Sequence, residues 1–461
     1  MNVAARSGKL DKIIILIMGD VRLRLISVLL ALAVSAPAVF ATELAPTPPL
    51  GWNSWDSYGL GIDEQQFRDN VAVLAKDLKP YGWTYAVIDE GWFMENPQDR
   101  PTPEKLRYTI DAHGRYIPVK SRFPAGFVAL GKQVHDRGLS FGIHIVRGIP
   151  RVAVTANSPI AGSDFHVADA ADTSDACPWD PTNWGVKDNE AGQAWYDSLI
   201  AQYAEWGVDF LKVDCISDHP HKSAEIAMIH RAIEKSGRPI LLSLSPGPTA
   251  PDLAASLPAM AQMWRMSDDV WDYWTNPRPW PRSVKEQFDN AAAWAPFAHP
   301  GSWPDADMLP LGHIGPHPDV GSDRETRLSH DEQRSMVTLW AMARSPLILG
   351  ANLTRLDDWT RTLITNRDVI EIDQASTHGR RAVQEAGIVG WTAEGKQGVL
   401  YLALFNIGDE AAKVSHGFDF YGLPAASYRA RELWTATDLP ASAGFQAEIP
   451  PHGVVLYRLS R

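Results

Sequence analysis

Residues 208–215 read VDFLKVDC. The run is short and mostly apolar, which is typical of a strand buried on both faces of a parallel sheet. Lys212 and Asp214 stand two positions apart, so their side chains lie on the same face of that strand. In α/β barrels the functional groups gather at the carboxyl ends of the strands. The segment therefore predicts a barrel strand that ends in two functional side chains.

The same unit, a helical pattern followed by a short apolar strand, recurs on both sides of this segment. Four of these units have a glycine between helix and strand, the residue expected at a left-handed helix end. The other predicted strands lie at 85–90, 139–145, 240–245, 263–269, 303–307 and 347–349. Alternation about eight times over roughly three hundred residues predicts a (β/α)8 TIM barrel. A doubly wound open sheet is the alternative, but no glycine-rich phosphate turn follows the first strand.

Beyond residue 374 the pattern changes to short runs rich in β-branched and aromatic residues, bounded by Gly, Asn and Pro. These runs lie at 388–392, 398–405, 428–434 and 453–457. They predict a C-terminal antiparallel β-sandwich. We therefore divide the chain into a signal peptide (1–41), a catalytic barrel (42–376) and a β-sandwich domain (377–461).

The first segment resembles a secretory signal peptide. Two arginines precede an apolar run at 25–34, and small residues lead to a cleavage point after Ala41. Residues before Met18 fit this pattern poorly, so Met18 is an alternative translation start. The apolar run is short for a membrane span. We expect a secreted or periplasmic protein, in which Cys177 and Cys215 pair as a disulfide or remain two buried thiols.

Charge and composition narrow the choice of partners. The net charge of -12 argues against nucleic acid and against an anionic membrane surface. The chain has 18 Trp and 12 Tyr, which suits stacking on sugars, although aromatic residues are more often part of a core. Oligomeric state is not encoded in any feature of the sequence.

Four pairs of charged residues stand at predicted strand ends: Asp89/Glu90, Lys212/Asp214, Arg265/Asp269 and Asp305/Asp307. Several carboxylates on one rim raise each other's pKa, which is costly unless the site uses it or a cation offsets it. A retaining glycosidase needs such a ring, and so does a metal-dependent hydrolase that holds Mg²⁺. The lysine and the arginine favour the glycosidase, because they already offset the negative charge.

Six motifs occur in the order in which one enzyme family has them. They are LGWNSW (50–55), YAVIDE (85–90), GIH (142–144), FLKVD (210–214), WRMSDD (264–269) and GSWPDADM (301–308). In this order they resemble the α-galactosidases of glycoside hydrolase family 27, from about residue 48 into the C-terminal domain. The resemblance implies a retaining exo-α-glycosidase that removes terminal α-D-galactosyl residues from oligo- or polysaccharides. It implies no metal and no organic cofactor.

The resemblance also implies roles for individual residues. Asp214 matches the nucleophile that forms the glycosyl intermediate, and Asp269 matches the acid/base. Lys212 and Arg265 match donors to ring hydroxyls. A charged Lys212 keeps Asp214 ionised, while a second carboxylate makes Asp269 hold its proton. Arg265 has an alternative role as an ion pair that positions Asp269.

The same comparison identifies the walls of the sugar pocket. Trp55 matches an aromatic wall, and Asp89 matches the first of two acidic residues that hold the far hydroxyls. Glu90 stands where the family usually has a second aspartate, and its extra methylene lies where an axial 4-hydroxyl is recognised. His144 stands where the family commonly has tyrosine. Trp179 either stacks on an aglycone sugar or packs within its loop.

Substrate identity is left open by further departures from the family pattern. Ser245 is small where the family selects the 2-substituent, so an α-N-acetylgalactosaminidase is an alternative. The family also contains β-L-arabinopyranosidases and α-glucan hydrolases. The family cysteine that follows the nucleophile by two residues is absent, and Cys215 follows Asp214 directly. Outside the family, a metal-dependent barrel hydrolase and a non-catalytic sugar-binding protein are the remaining alternatives.

Overall fold

The structure is a computed structural model that describes residues 44–99, 105–218, 220–315 and 322–461. The predicted signal peptide at 1–41 and the alternative start at Met18 lie outside the described residues.

Eight parallel strands form one curled sheet, as the alternating pattern predicts. In chain order they are β1 (Leu50–Asn53), β2 (Tyr85–Ile88), β3 (Ser140–Val146), β4 (Phe210–Asp214), β5 (Leu241–Leu244), β6 (Met263–Arg265), β7 (Trp303–Asp305) and β8 (Leu347–Leu349). Their order across the sheet is β7-β6-β5-β4-β3-β2-β1-β8. Leu309, which follows β7, makes a parallel bridge to Leu349 of β8, so the two edges of the sheet meet. This is the (β/α)8 barrel.

Helices cover the outside of the barrel. The main ones are α1 (Trp55–Tyr58), α2 (Glu64–Val73), α3 (Gly126–His135), α4 (Arg151–Ala156), α5 (Val167–Ala170), α6 (Glu190–Glu205), α7 (Ser223–Ser236), α8 (Gln287–Trp294), α9 (His330–Ala343), α10 (Asp358–Ile364) and α11 (Arg367–Ala375). Asp63 and Gln66 form the capping box that starts α2. Gly237 ends α7 with a φ of 70°, as a left-handed stop requires. In the described part of the chain no helix combines the length and apolar character that crossing a membrane requires.

A small antiparallel sheet is inserted between β3 and α6. It consists of Ile149–Pro150, Ala171–Ala176 and Asn183–Val186, with the last of these in the middle. Cys177 follows the second of these strands and forms a disulfide with Cys215, the residue after β4. The predicted disulfide is confirmed, and it ties the inserted sheet to the strand that carries Asp214.

The C-terminal part is antiparallel. Its strands are β9 (Thr377–Glu385), β10 (Ile388–Glu394), β11 (Leu400–Asn406), β12 (Ala412–Gly417), β13 (Tyr428–Glu432), β14 (Thr437–Ser442), β15 (Gly444–Ile449) and β16 (Val454–Ser460). Six of them form one sheet in the order β9-β10-β11-β16-β13-β14, and β12 pairs with β15 in a second sheet. This is the predicted β-sandwich.

Strand β11 shows why this region is apolar on consecutive residues. Tyr401, Ala403 and Phe405 belong to the core that is continuous with the barrel, whereas Leu402 and Leu404 belong to the core of the sandwich. Successive side chains of a strand point to opposite faces, so a sheet covered on both sides needs apolar residues throughout.

Candidate active site

Neighbouring strands place the predicted site residues side by side at one end of the barrel. His144 pairs with Lys212 across β3 and β4, and Val146 pairs with Asp214. Lys212 in turn pairs with Ser243 of β5. The carboxyl ends of the parallel strands therefore form one rim, as expected for a barrel.

Asp89, which follows β2, forms an ion pair with Lys212 inside the rim. Its Oδ2 accepts hydrogen bonds from Lys212 Nζ at 2.9 Å and from Asn53 Nδ2 at 2.7 Å. Burial raises the pKa of Asp89, but Lys212 and His144 outweigh it and lower that pKa well below its ordinary value. Burial lowers the pKa of Lys212, but the carboxylates of Asp89 and Asp307 outweigh it and raise that pKa. Both groups are therefore charged.

Asp214 is held by two neighbours. Its Oδ1 accepts a hydrogen bond of 2.6 Å from the backbone N–H of Cys215, and its Oδ2 lies 3.4 Å from Nε2 of His144. Burial raises the pKa of Asp214, but the contact with His144 and the charge of Lys212 outweigh it, so the pKa is lowered. The carboxylate that the sequence assigns as nucleophile is thus kept ionised.

Asp269 has the opposite environment. Its side chain is 37% exposed, and its Oδ1 accepts a hydrogen bond of 3.3 Å from Nη2 of Arg265. Partial loss of hydration within the rim and the nearby Asp214 carboxylate raise the pKa of Asp269, and Arg265 offsets this only in part. Asp269 therefore holds its proton at a pH where Asp214 is ionised. Two carboxyl groups that act as an acid and a nucleophile must have pKa values that differ in this way.

Asp307 competes with Asp269 for the same guanidinium. Its Oδ2 accepts hydrogen bonds from Arg265 Nη2 at 2.6 Å and from the backbone N–H of Val270 at 2.7 Å. Burial is the main cause that raises the pKa of Asp307 to about 7. Arg265 lowers this pKa, but the negative charges of Asp269 and Asp305 raise it again. Arg265 is thus an ion-pair partner of both carboxyls.

Asp56 is a site carboxyl that the sequence analysis missed. It is buried, and burial together with Asp307 raises its pKa well above the ordinary value. A Cβ at residue 350 would overlap its carboxyl group, which explains the glycine there. The only signal in the sequence is its position directly after Trp55, inside the first motif.

The remaining predicted residues line the same rim. Glu90 is buried and its backbone N–H donates to Asp89 Oδ1 at 2.9 Å. Trp55 is half-buried in α1, and its backbone N–H donates to Asn53. Ser245 is buried after β5, with its N–H donating to the carbonyl of Val213 at 2.9 Å.

Trp179 lies two residues past Cys177, in the loop that the disulfide attaches to the nucleophile strand, and it is 37% exposed. Among the residues that the structure describes, no three His, Cys, Asp or Glu side chains are grouped so that they could hold a metal ion.

The rim of this TIM barrel carries one carboxyl group with a lowered pKa and a second with a raised pKa, which is the pair that glycoside hydrolases require. Comparisons with known proteins agree with this class. A family model described as alpha galactosidase A matches residues 189–375. A second, described as the alpha galactosidase C-terminal beta sandwich domain, matches residues 385–459.

Relatives span nearly the whole described chain. The α-galactosidase of rice (Oryza sativa subsp. japonica) is 27% identical over 91% of this chain and 86% of its own length. Among solved structures, a GH27 β-L-arabinopyranosidase from Geobacillus stearothermophilus is 41% identical, with a TM-score of 0.84, over 90% of this chain and 97% of that one. A Bacillus halodurans protein provisionally assigned as an α-N-acetylgalactosaminidase is 37% identical, with a TM-score of 0.80, over 91% and 99%. The chain belongs to glycoside hydrolase family 27.

Proposed function

We propose that the protein is a retaining exo-glycosidase with Asp214 as nucleophile and Asp269 as acid/base. The observation that carries the proposal is the opposite direction of the two pKa shifts, lowered for Asp214 and raised for Asp269. A retaining mechanism needs one carboxylate that attacks and one carboxylic acid that protonates the leaving oxygen.

The reaction proceeds in two displacements. In the first, the Asp214 carboxylate bonds to the anomeric carbon, the glycosidic C–O bond breaks, and Asp269 gives its proton to the departing oxygen. In the second, the Asp269 carboxylate takes a proton from water, the water oxygen bonds to the anomeric carbon, and Asp214 leaves as a carboxylate. Two inversions return the original anomeric configuration.

The charged side chains beside the acid pair suit a sugar ring. The carboxylate of Asp89 is an acceptor and the ammonium of Lys212 a donor, and they hold each other at 2.9 Å. Because this ion pair already fixes both side chains, both are pre-organised for the hydroxyl groups of a sugar. Trp55 supplies the aromatic wall. The Nε2 atom of His144 lies 4.0 Å from Asp89 Oδ1 and 3.4 Å from Asp214 Oδ2, so this side chain links the two carboxylates.

Terminal α-D-galactosyl groups are the first candidate substrate, because the curated relatives are α-galactosidases. The sequence identity to them is 27% over most of the chain. This identity supports the type of reaction more strongly than it supports one particular sugar as the substrate. An α-N-acetylgalactosaminyl group is compatible with the small side chain of Ser245 and with the name of the Bacillus halodurans relative.

A β-L-arabinopyranosyl group is a second candidate that a specific residue favours. Its ring has the configuration of α-D-galactose and lacks the hydroxymethyl group on C5. Glu90 stands where the axial 4-hydroxyl is recognised, and the hydroxymethyl group is on the neighbouring ring carbon, C5. The extra methylene of Glu90 relative to aspartate therefore takes up space that a sugar without the hydroxymethyl group leaves free. The relative that is 41% identical is a β-L-arabinopyranosidase. We expect activity on both aryl glycosides.

A panel of aryl glycosides without added metal tests the function. The panel covers α-D-galactose, β-L-arabinopyranose, α-N-acetyl-D-galactosamine and α-D-glucose, with and without EDTA. Asp214→Asn should lower kcat by about a thousandfold or more on the preferred substrate, because the nucleophile is lost. An unchanged kcat in that variant would refute the nucleophile assignment, and binding without any turnover by the wild type would indicate a sugar-binding protein.

Glu90→Asp tests the basis of sugar choice. Removing one methylene restores room for a hydroxymethyl group, so the ratio of kcat/KM for galactoside over arabinoside should rise by roughly tenfold or more. Glu95→Asp is the matched control, since Glu95 lies on the same segment with its side chain 43% exposed and paired with Arg107. Equal ratios in the two variants would contradict a role for Glu90.

We also propose that the protein is exported. The disulfide between Cys177 and Cys215 suits an oxidising compartment, and the first segment of the sequence resembles a signal peptide. N-terminal sequencing of the mature protein from a fractionated host should begin at residue 42. A cytoplasmic protein that keeps its first residues would contradict this.

A further inference from the structure

Arg147 is a buried charged residue next to the active site that the proposed reaction does not use. It directly follows β3, and only 2% of its side chain is exposed. The sequence analysis did not single it out. Its hydrogen bonds go to the backbone carbonyl groups of Asp214 and Cys215 and to two carboxylates.

Arg147 holds both carbonyl groups of that dipeptide. Its backbone N–H donates to the carbonyl of Asp214 at 3.1 Å, and its Nε donates to the carbonyl of Cys215 at 2.7 Å. The first bond extends the β3–β4 ladder by one residue. The second is a charge-assisted hydrogen bond, which is stronger than one between neutral groups.

Two carboxylates fix the plane of the guanidinium. Nη1 donates to Glu225 Oε1 at 2.7 Å and Nη2 donates to Asp175 Oδ1 at 2.9 Å. Glu225, on α7, also accepts a hydrogen bond from the Tyr196 hydroxyl, and Asp175 accepts one of 2.8 Å from Lys222. A fork held at both ends cannot rotate, so Nε stays directed at the carbonyl of Cys215.

The position of Cys215 matters because its backbone orients the nucleophile. Its φ is 60°, a left-handed conformation that is unfavourable for a residue with a Cβ. In this conformation its N–H donates to Asp214 Oδ1 at 2.6 Å. A backbone N–H that bonds to a carboxylate favours the ionised form and fixes the rotation of the carboxyl group.

We propose that Arg147 is a positioning residue for the proposed nucleophile, acting through the Cys215 peptide group that it anchors to Glu225 and Asp175. The inference rests on the proposed role of Asp214. The disulfide holds the side chain of Cys215, whereas Arg147 holds its carbonyl, so the two restraints are separate.

Arg147→Gln tests the proposal through three readouts. We expect kcat to fall by roughly 10- to 100-fold, the effect of a small misplacement of a reacting group, while KM stays within about twofold because Arg147 lies outside the pocket. We also expect the acid limb of the kcat/KM profile to move to higher pH, since Asp214 loses part of the hydrogen bonding that favours its charged form. His144, Lys212 and Asp269 are the other titratable groups that face Asp214, and none is altered.

Arg151→Gln is the matched control. Arg151 follows four residues later and loses the same charge, but its guanidinium lies 3.7 Å over the ring of Trp184. We expect wild-type kcat, KM and acid limb in this variant. Equal behaviour of the two variants would overturn the proposal.

Arg147→Gln leaves Glu225 as a buried charge with fewer partners, so this variant could lose activity simply by unfolding. Two further variants control for unfolding. Arg147→Lys keeps the charge without the planar fork, and Arg147→Met with Glu225→Gln removes both charges together. Each should show the circular dichroism spectrum of the wild type and the same shift of the acid limb. A folded double variant with wild-type kcat and pH profile would overturn the proposal.

Covalent trapping separates this inference from the proposed function. An activated 2-deoxy-2-fluoro glycoside should label Asp214 in the wild type, and peptide mapping by mass spectrometry identifies the residue. Label on another residue refutes the proposed function. Label on Asp214 at equal rates in the wild type and Arg147→Gln refutes the positioning role alone.

Discussion

The aspartates of this rim have different charge states because each carboxyl group has different neighbours. Asp89 and Asp214 lie beside cations, and their pKa values are lowered. Asp56, Asp269 and Asp307 are governed by burial and by other carboxyls, and their pKa values are raised. Charge state, and with it chemical role, is therefore set by contacts across the barrel.

The pH profile follows from these directions. In the proposed mechanism the active form has Asp214 ionised and Asp269 protonated. The pKa of Asp214 is lowered and that of Asp269 is raised. On the acid side, kcat/KM should therefore decrease only at a pH below the ordinary pKa of aspartate. On the basic side, it should decrease only at a pH above that value.

Asp307→Asn should move the basic limb of kcat/KM to lower pH. The Nη2 of Arg265 is 2.6 Å from Asp307 and 3.3 Å from Asp269, so removing the Asp307 charge frees the guanidinium for Asp269 and lowers the pKa of that carboxyl. An aryl glycoside assayed across the pH range measures the limb. Asp438→Asn, at a side chain that is 78% exposed in the C-terminal domain, is the control, and an unmoved limb in Asp307→Asn would contradict the competition for Arg265.

At the scale of elements, the strand that carries the nucleophile is fixed at its end by a loop that is distant in sequence. The disulfide closes a separation of 38 residues and joins the inserted sheet to β4. Strand β4 itself follows from its apolar pattern. The inserted sheet does not, since Ala171–Ala176 reads ADTSDA, which has no alternation of apolar and polar residues and a single β-branched residue, Thr173.

Replacing Cys177 and Cys215 together by serine should lower the free energy of unfolding by about 4 kcal/mol, on the chain-entropy estimate for a loop of this length. Guanidinium denaturation of the oxidised protein and the double variant measures the difference. Equal midpoints and slopes would show that the bridge does not constrain the unfolded chain. The circular dichroism of both proteins before denaturation is the control for the fold.

Prediction of elements failed where the pattern that specifies a strand is absent. The outer strands β9 and β14 are largely exposed and polar, so they lack the runs of β-branched and aromatic residues by which the inner strands β10, β11 and β16 were found. An edge strand is stabilised by hydrogen bonds to its neighbour, and polar side chains there also limit edge-to-edge association.

At the scale of the whole molecule, α9 is buried between the barrel and the C-terminal sheet. Its residues from Ser335 to Ala343 are all buried. Trp434 donates from Nε1 to Thr338 Oγ1 at 3.0 Å, and Ser335 donates to the carbonyl of His452 at 2.6 Å. The barrel-facing side of the sheet and the barrel share one continuous core, so we expect them to unfold together.

Trp391→Ala should lower the free energy of unfolding by about 3–5 kcal/mol, because a fully buried tryptophan on β10 is replaced by a cavity. Barrel and sheet should be lost in one transition, seen as coincident changes in far-ultraviolet circular dichroism and in retention of activity. Phe420→Ala, at a ring that is 42% exposed in the same region, is the control. A barrel that stays active after the sheet has unfolded would contradict a shared core.

The sequence alone determined the barrel, the sandwich and the strand ends that carry the site, because periodicity, glycine stops and short motifs are local. It also indicated the family through six ordered motifs. The tertiary structure alone decided that Asp56 shares the site, that Asp307 and Asp269 bind the same guanidinium, and that Arg147 anchors the Cys215 carbonyl. These depend on distances of a few ångströms between residues far apart in the chain, such as Asp89 and Lys212, and electrostatic interaction depends on that separation rather than on sequence order.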